Sequence, residues 1–120
     1  MSDDWMLLLV QLRKRYTLLT EMMDLTQQMG EALDRDDAAS FSMLLAMRQD
    51  PIQTMKEHKE MIQSSAEPVR ARWDALCRGE AAQDESEQRV VEQMQQNKQL
   101  IDRLIPLDQK IQKVLTAKKA

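Results

Sequence analysis

The sequence predicts an all-α protein: an elongated antiparallel helical bundle or hairpin of three long helices, the second and last kinked at proline, plus one short helix. Two observations carry this. Only two glycines and three prolines interrupt 120 residues, and Leu, Met, Gln, Ala, Glu and Lys, all good helix formers, outweigh the β-branched and aromatic strand formers. From Trp5 to Leu33, moreover, one position recurs at alternating steps of four and three: Trp5, Leu9, Leu12, Tyr16, Leu19, Met23, Thr26, Gly30, Leu33. Steps of this size keep a residue on one side of an α-helix, so the stripe must be buried against something. The same spacing returns as Val90, Met94, Asn97, Ile101, Leu104, Asp108, Ile111, Leu115. With 42% apolar residues, the chain has material for one modest core and reads as a single domain over residues 1–120.

The first helix, residues 1–34, should start near Ser2–Asp4, where acidic and small polar groups accept free backbone N–H groups. It carries a second stripe, Leu18, Met22, Leu25, Met29 and Ala32, and two adjacent stripes fit a helix with neighbours on two sides. At about 1.5 Å per residue it reaches about 45 Å, which makes the whole elongated. The cluster Asp34-Arg35-Asp36-Asp37 ends it, and Asp36 or Asp37 can cap the second helix, residues 37–63. That helix keeps its phase through Phe41, Leu45, Arg48, Ile52, Met55, Lys59 and Ile62 despite Pro51. Proline removes a donor and clashes with the preceding turn, yet it is favourable as a first helical residue after an Asp cap. A kinked helix or two nearly collinear ones are therefore expected.

Pro68 restarts a short helix, residues 68–78, with Val69, Trp73, Leu76 and Cys77 on one face, and Gly79 sits where helices commonly turn. The acidic stretch Asp84-Glu85-Ser86-Glu87 reads as a solvated face, and Glu80–Gln88 as loop or as the first turns of the last helix, residues 82–116. Pro106 should bend or fray that helix, leaving Leu107, Ile111, Val114 and Leu115 on a separately moving segment, with residues 118–120 disordered.

Composition also excludes. A net charge of −3 argues against a general nucleic-acid binder. No basic region precedes the apolar run Trp5–Val10, which is too short to span a bilayer, so membrane insertion is not expected. Cys77 alone supplies neither a disulfide nor a metal cage. These features fit a soluble cytoplasmic protein.

No catalytic constellation is visible. His58 is the only histidine, and a helical di-metal site would need Glu at position 55, where Met stands. It reads as an exposed histidine on a charged face. Cys77 lacks a histidine to activate it and reads as a small buried hydrophobe. Gly30 and Gly79 are isolated, so no phosphate loop exists. No catalytic residue, cofactor or metal is expected, and the chain does not read as an enzyme.

Two features hint at binding. Met22, Met23, Met29, Met43, Met47, Met55 and Met61 crowd the first two helices. Methionine fills irregular gaps in cores and equally forms surfaces that accept partners of differing shape. After Asp108 no acidic residue occurs, while Lys110, Lys113, Lys118 and Lys119 accompany Ile111, Val114 and Leu115. Those cations either complement the helix dipole or mark an amphipathic recognition arm.

The segment Leu12–Met55, centred on EALDRDDAASFSMLLAMRQDPIQTM, resembles the helical hairpin of bacterial flagellar export chaperones of the FlgN type. Leu33, Asp34, Asp37, Leu44, Leu45 and Arg48 carry the likeness. MQQNKQLIDRLIPLDQKIQKVL resembles that family's last helix, with Asn97 before Leu100, Ile101 and Leu104. Pro51 and Pro106 depart from uninterrupted helices, and FliT-type chaperones are nearly as good a match. The resemblance implies a cytoplasmic type III secretion chaperone. Its client would be the amphipathic terminal helix of a late flagellar structural subunit, from the hook–filament junction or filament cap, with the export apparatus as a further partner. It also implies client contact through Met94, Asn97, Leu100, Ile101, Leu104, Ile111 and Leu115. A helix laid in an apolar groove would cover a surface that otherwise self-associates. The alternatives are a structural coiled coil that homodimerises and a helical adaptor that sequesters a protein partner.

Overall fold

The computed structural model describes residues 3–65 and 67–119; expectations for Met1, Ser2, Ala66 and Ala120 lie outside the described residues. Every regular element among the described residues is a helix: α1 (Asp3–Asp34), α2 (Ala38–Gln63), α3 (Val69–Cys77) and α4 (Glu85–Lys119). Three are long and one is short.

The helix ends follow from local chemistry. At the end of α1, the Asp37 N–H donates to the Ala32 carbonyl at 2.8 Å and the Asp36 N–H to Leu33, with Asp36 at φ 55°. Aspartate is among the few non-glycine residues that tolerate this left-handed turn. Asp37 then caps α2, accepting from the Ser40 N–H at 3.0 Å and the Ser40 hydroxyl at 2.6 Å. Those two bonds, the hydroxyl first, hold its carboxyl below the ordinary aspartate value. Gly79 closes α3 in the same turn at φ 92°. The Asp84 carboxylate accepts the Glu87 N–H at 2.9 Å, so α4 starts at Glu85 rather than at residue 82.

Both internal prolines lie within continuous helices. Pro106 does not fray α4, which runs on to Lys119. Pro106 is on the exposed side of the helix, as is Asp102, whose carbonyl loses its amide partner there, so water can satisfy that group. The expected loose tail is also corrected at Lys118. Its ammonium pairs with Asp36 and donates to the Leu33 carbonyl at 3.4 Å, anchoring the end of α4 to the end of α1.

Helix directions follow from the side-chain contacts. Asn97 reaches Leu12 and Lys118 reaches Leu33, the same 85-residue offset at both ends, so α4 runs parallel to α1. α2 runs back along α1: Leu44 clusters with Leu33, whereas Ile62 clusters with Leu8 and Leu12. The result measures 51 × 23 × 20 Å. Its radius of gyration is 17.4 Å, against about 14 Å for a compact chain of this length.

α1 is the shared wall. Leu9, Leu12, Leu19, Met23, Leu33 of the first stripe and Met22, Leu25, Met29, Ala32 of the second are all buried. Three apolar clusters succeed one another along it, centred on Leu12, on Met22 and Met23, and on Met29. α3 closes one end, where Val69 and Leu76 join Ile62 and Val90.

Candidate functional site

α1 packs along both α2 and α4, but the backbones of α2 and α4 approach each other at few places. In this triangle of three helices the α2–α4 side is the loosest: side chains bridge it at Arg48–Asp108 and within the apolar clusters, and between those contacts it is open. Two helical stripes face across the opening. On α2 it is Arg48, Ile52, Met55, Lys59 and Ile62; on α4 it is Met94, Asn97, Ile101, Leu104 and Asp108, with Ile105 beside them. Their confrontation is fixed by two contacts. The Arg48 guanidinium donates to both Asp108 carboxylate oxygens, at 2.8 and 3.4 Å, and Met55 packs against the cluster of Met22, Met23 and Leu104.

Below that ion pair the seam deepens into a groove of about 430 Å³ between α1, α2, α3 and α4. Its apolar lining includes Leu12, Ile62, Trp73, Met94 and Ile101, and its polar lining includes Arg15, Lys59, Asp74, Asn97 and Lys98. Further along the same helices, toward the Arg48–Asp108 pair and outside the groove's lining, Ile52 is 38% and Ile105 48% exposed. From Ile52 to Gln63 this edge of α2 is about 16 Å long, three helical turns. The arrangement can hold an extended apolar stripe. Among the described residues no group of His, Cys, Asp and Glu is placed to hold a metal ion.

The α3 wall is held by Arg72, which donates through Nε and Nη2 to the two oxygens of the buried Glu87 at 3.0 and 2.6 Å. The Gln83 N–H adds a third bond at 3.1 Å. The Arg72 hydrogen bond foremost, and that of Gln83, hold the Glu87 carboxyl below the ordinary glutamate value against the opposing effect of burial.

The residues the family resemblance points to fall into three places. Met94, Asn97 and Ile101 line the groove. Leu104 and Ile111 are buried and Leu115 half-buried, packed into the clusters on α1 and α2, so the end of α4 is not a free arm. Leu100 is half-buried one heptad before Leu107, which faces a separate groove between α1 and α4. Asn97 itself is 4% exposed; its amide donates to the Leu12 carbonyl at 3.0 Å and its oxygen accepts from Gln93 at 3.0 Å.

Other expectations change. Cys77 is exposed rather than buried, because α3 turns Val69, Ala75 and Leu76 fully inward and leaves Cys77 at its outer end. Partial burial of the thiol first, and then Asp74, push its pKa up. His58 is half-buried rather than exposed, its Nδ1 enclosed without a partner on the inner flank of α2. The methionines divide: Met22, Met23 and Met29 are core, while Met43, Met47 and Met61 are exposed on the edge of α2 away from α4. Lys59, Trp73 and Arg15 carry no pairwise signal in sequence; only the packing brings them to one groove. No described helix is long and apolar enough to cross a membrane. The chain matches no family model, no curated protein and no solved structure.

Proposed function

We propose that this protein is a cytoplasmic export chaperone of the flagellar type III class, and that the open α2–α4 seam receives the amphipathic terminal helix of a hook–filament junction or filament-cap subunit. Covering that helix prevents premature assembly, and the complex presents the client to the export apparatus. The observation that carries the reading is the groove where α2 and α4 stand apart, lined by Leu12, Ile62, Trp73, Met94 and Ile101, with Ile52 and Ile105 exposed on the adjoining stretches of the two helices. A fourth helix laid there completes a four-helix arrangement and buries both isoleucines. In this reading Pro51 and Pro106 are points where α2 and α4 can bend to adjust to the client, since each removes one backbone hydrogen bond from its helix.

The test is titration of the terminal helical segment of such a subunit into wild-type protein and into the Ile52→Asp/Ile105→Asp variant. Burying the remaining surface of each isoleucine contributes about 1 kcal/mol, so the double variant should bind at least thirtyfold more weakly while its helicity and unfolding midpoint persist. Equal affinity for both proteins would refute the seam as the site. A second reading, self-association, draws on exposed Met43, Met47 and Met61, which share one edge of α2. Light scattering separates the two: a stable dimer lost on Met47→Lys would favour it, and a monomer would discard it.

A further inference from the structure

The charge of the groove specifies the occupant further, on the reading just given that a helix docks in the seam. Among the described residues three basic side chains are half-buried: Arg15, Arg48 and Arg72. Arg48 holds Asp108 and Arg72 holds Glu87. Arg15, on the α1 floor of the groove, has no carboxylate partner among the described residues; Asp74, the one acid on the lining, pairs with neither Arg15 nor Lys59. Lys98 is engaged only loosely with Asp102, at 3.7 Å on the exposed face of α4. A cation taken partly out of water without a counter-charge is unfavourable, and a guanidinium forms its strongest contacts with a carboxylate in a two-pronged bond.

We propose that Arg15, assisted by Lys59, accepts a carboxylate from the docked helix, so that the partner is an amphipathic helix carrying Asp or Glu on the flank of its apolar stripe. The whole chain is net negative, at −3, while the groove's own charges, Arg15, Lys59 and Lys98 against Asp74, are net positive, so an acidic helix is repelled elsewhere and attracted at this groove. Charge then sets the register of the client in addition to apolar fit.

Two peptides of about 18 residues test this. Both carry leucines at steps of three and four; one has glutamates along the flanks of that stripe and the other has glutamines. Each is titrated into wild-type protein, Arg15→Gln and Lys59→Gln, with circular dichroism confirming the fold. The glutamate peptide should bind wild type about tenfold more tightly than the glutamine peptide. This advantage should vanish in Arg15→Gln, shrink in Lys59→Gln, and fade as salt rises. Should Arg15→Gln fail to fold, exposed Lys59 carries the same comparison. Equal binding of the two peptides to wild type overturns the charge assignment and leaves the seam reading standing. Binding of neither peptide overturns both.

Discussion

Asn97→Asp is the sharpest probe of how α4 is seated on α1. The asparagine is buried within an apolar stripe, where its Nδ2 donates to the Leu12 carbonyl. Aspartate keeps the shape and replaces that donor with a charged acceptor facing another acceptor. The lost bond costs about 1 kcal/mol, and the buried, repelled carboxylate adds about 2 kcal/mol through a raised pKa. With a urea slope of about 1.5 kcal/mol per M, a loss of about 3 kcal/mol lowers the unfolding midpoint by about 2 M at pH 7. The folded-state pKa of the new carboxyl lies above its unfolded value. The penalty is therefore full above the folded pKa and disappears below the unfolded value near 4. The difference between variant and wild type should thus shrink steadily from pH 7 to pH 3.5. Asn97→Leu, which fills the site with apolar volume, should stay within about 1 kcal/mol of wild type. A midpoint change under about 0.5 M for Asn97→Asp, or one independent of pH, would refute the buried donor–carbonyl contact.

Other expectations test separate parts of the structure. Thr17, Thr20 and Thr54 give their hydroxyls to the carbonyl four residues back, whereas the buried Thr26 hydroxyl has no partner; Thr26→Val should therefore be neutral or stabilising by about 1 kcal/mol in urea unfolding. Glu87, Asp36 and Asp37 all have lowered pKa values, held by Arg72, Lys118 and Ser40 respectively. Their stabilisation is present above the unfolded carboxylate value and lost as pH falls through the folded one, so unfolding midpoints should drop below about pH 4 and Glu87→Gln should flatten that drop. Cys77 lies on the groove wall, so a bound helix should slow its alkylation several-fold, and the rate should rise with pH more steeply above neutrality than for a free thiol.

The stripes legible in the sequence correspond to real faces, and the two on α1 have two neighbours. Periodicity says that a face is apolar and leaves open which helix covers it. Leu104 and Ile111 illustrate this: their spacing marks an apolar face, the resemblance assigns that face to a client, and α1 and α2 pack against it. Arg48 and Asp108 lie sixty residues apart and meet only through the relative seating of α2 and α4. Cys77 and His58 depart from expectation because neighbouring residues on a short or edge-facing helix differ in burial by a fraction of a turn. The anchoring of Lys118 is invisible in sequence because its partner, Asp36, lies in a turn 82 residues earlier.

Methyl spectroscopy of Ile- and Met-labelled protein, saturated with the terminal helix of a hook–filament junction or filament-cap subunit, reads the site directly. Ile52, Met55, Met94, Ile101 and Ile105 should move, while Met43, Met47 and Met61 stay in place. Perturbation confined to Met43, Met47 and Met61, or no perturbation at all, would contradict a client seated between α2 and α4.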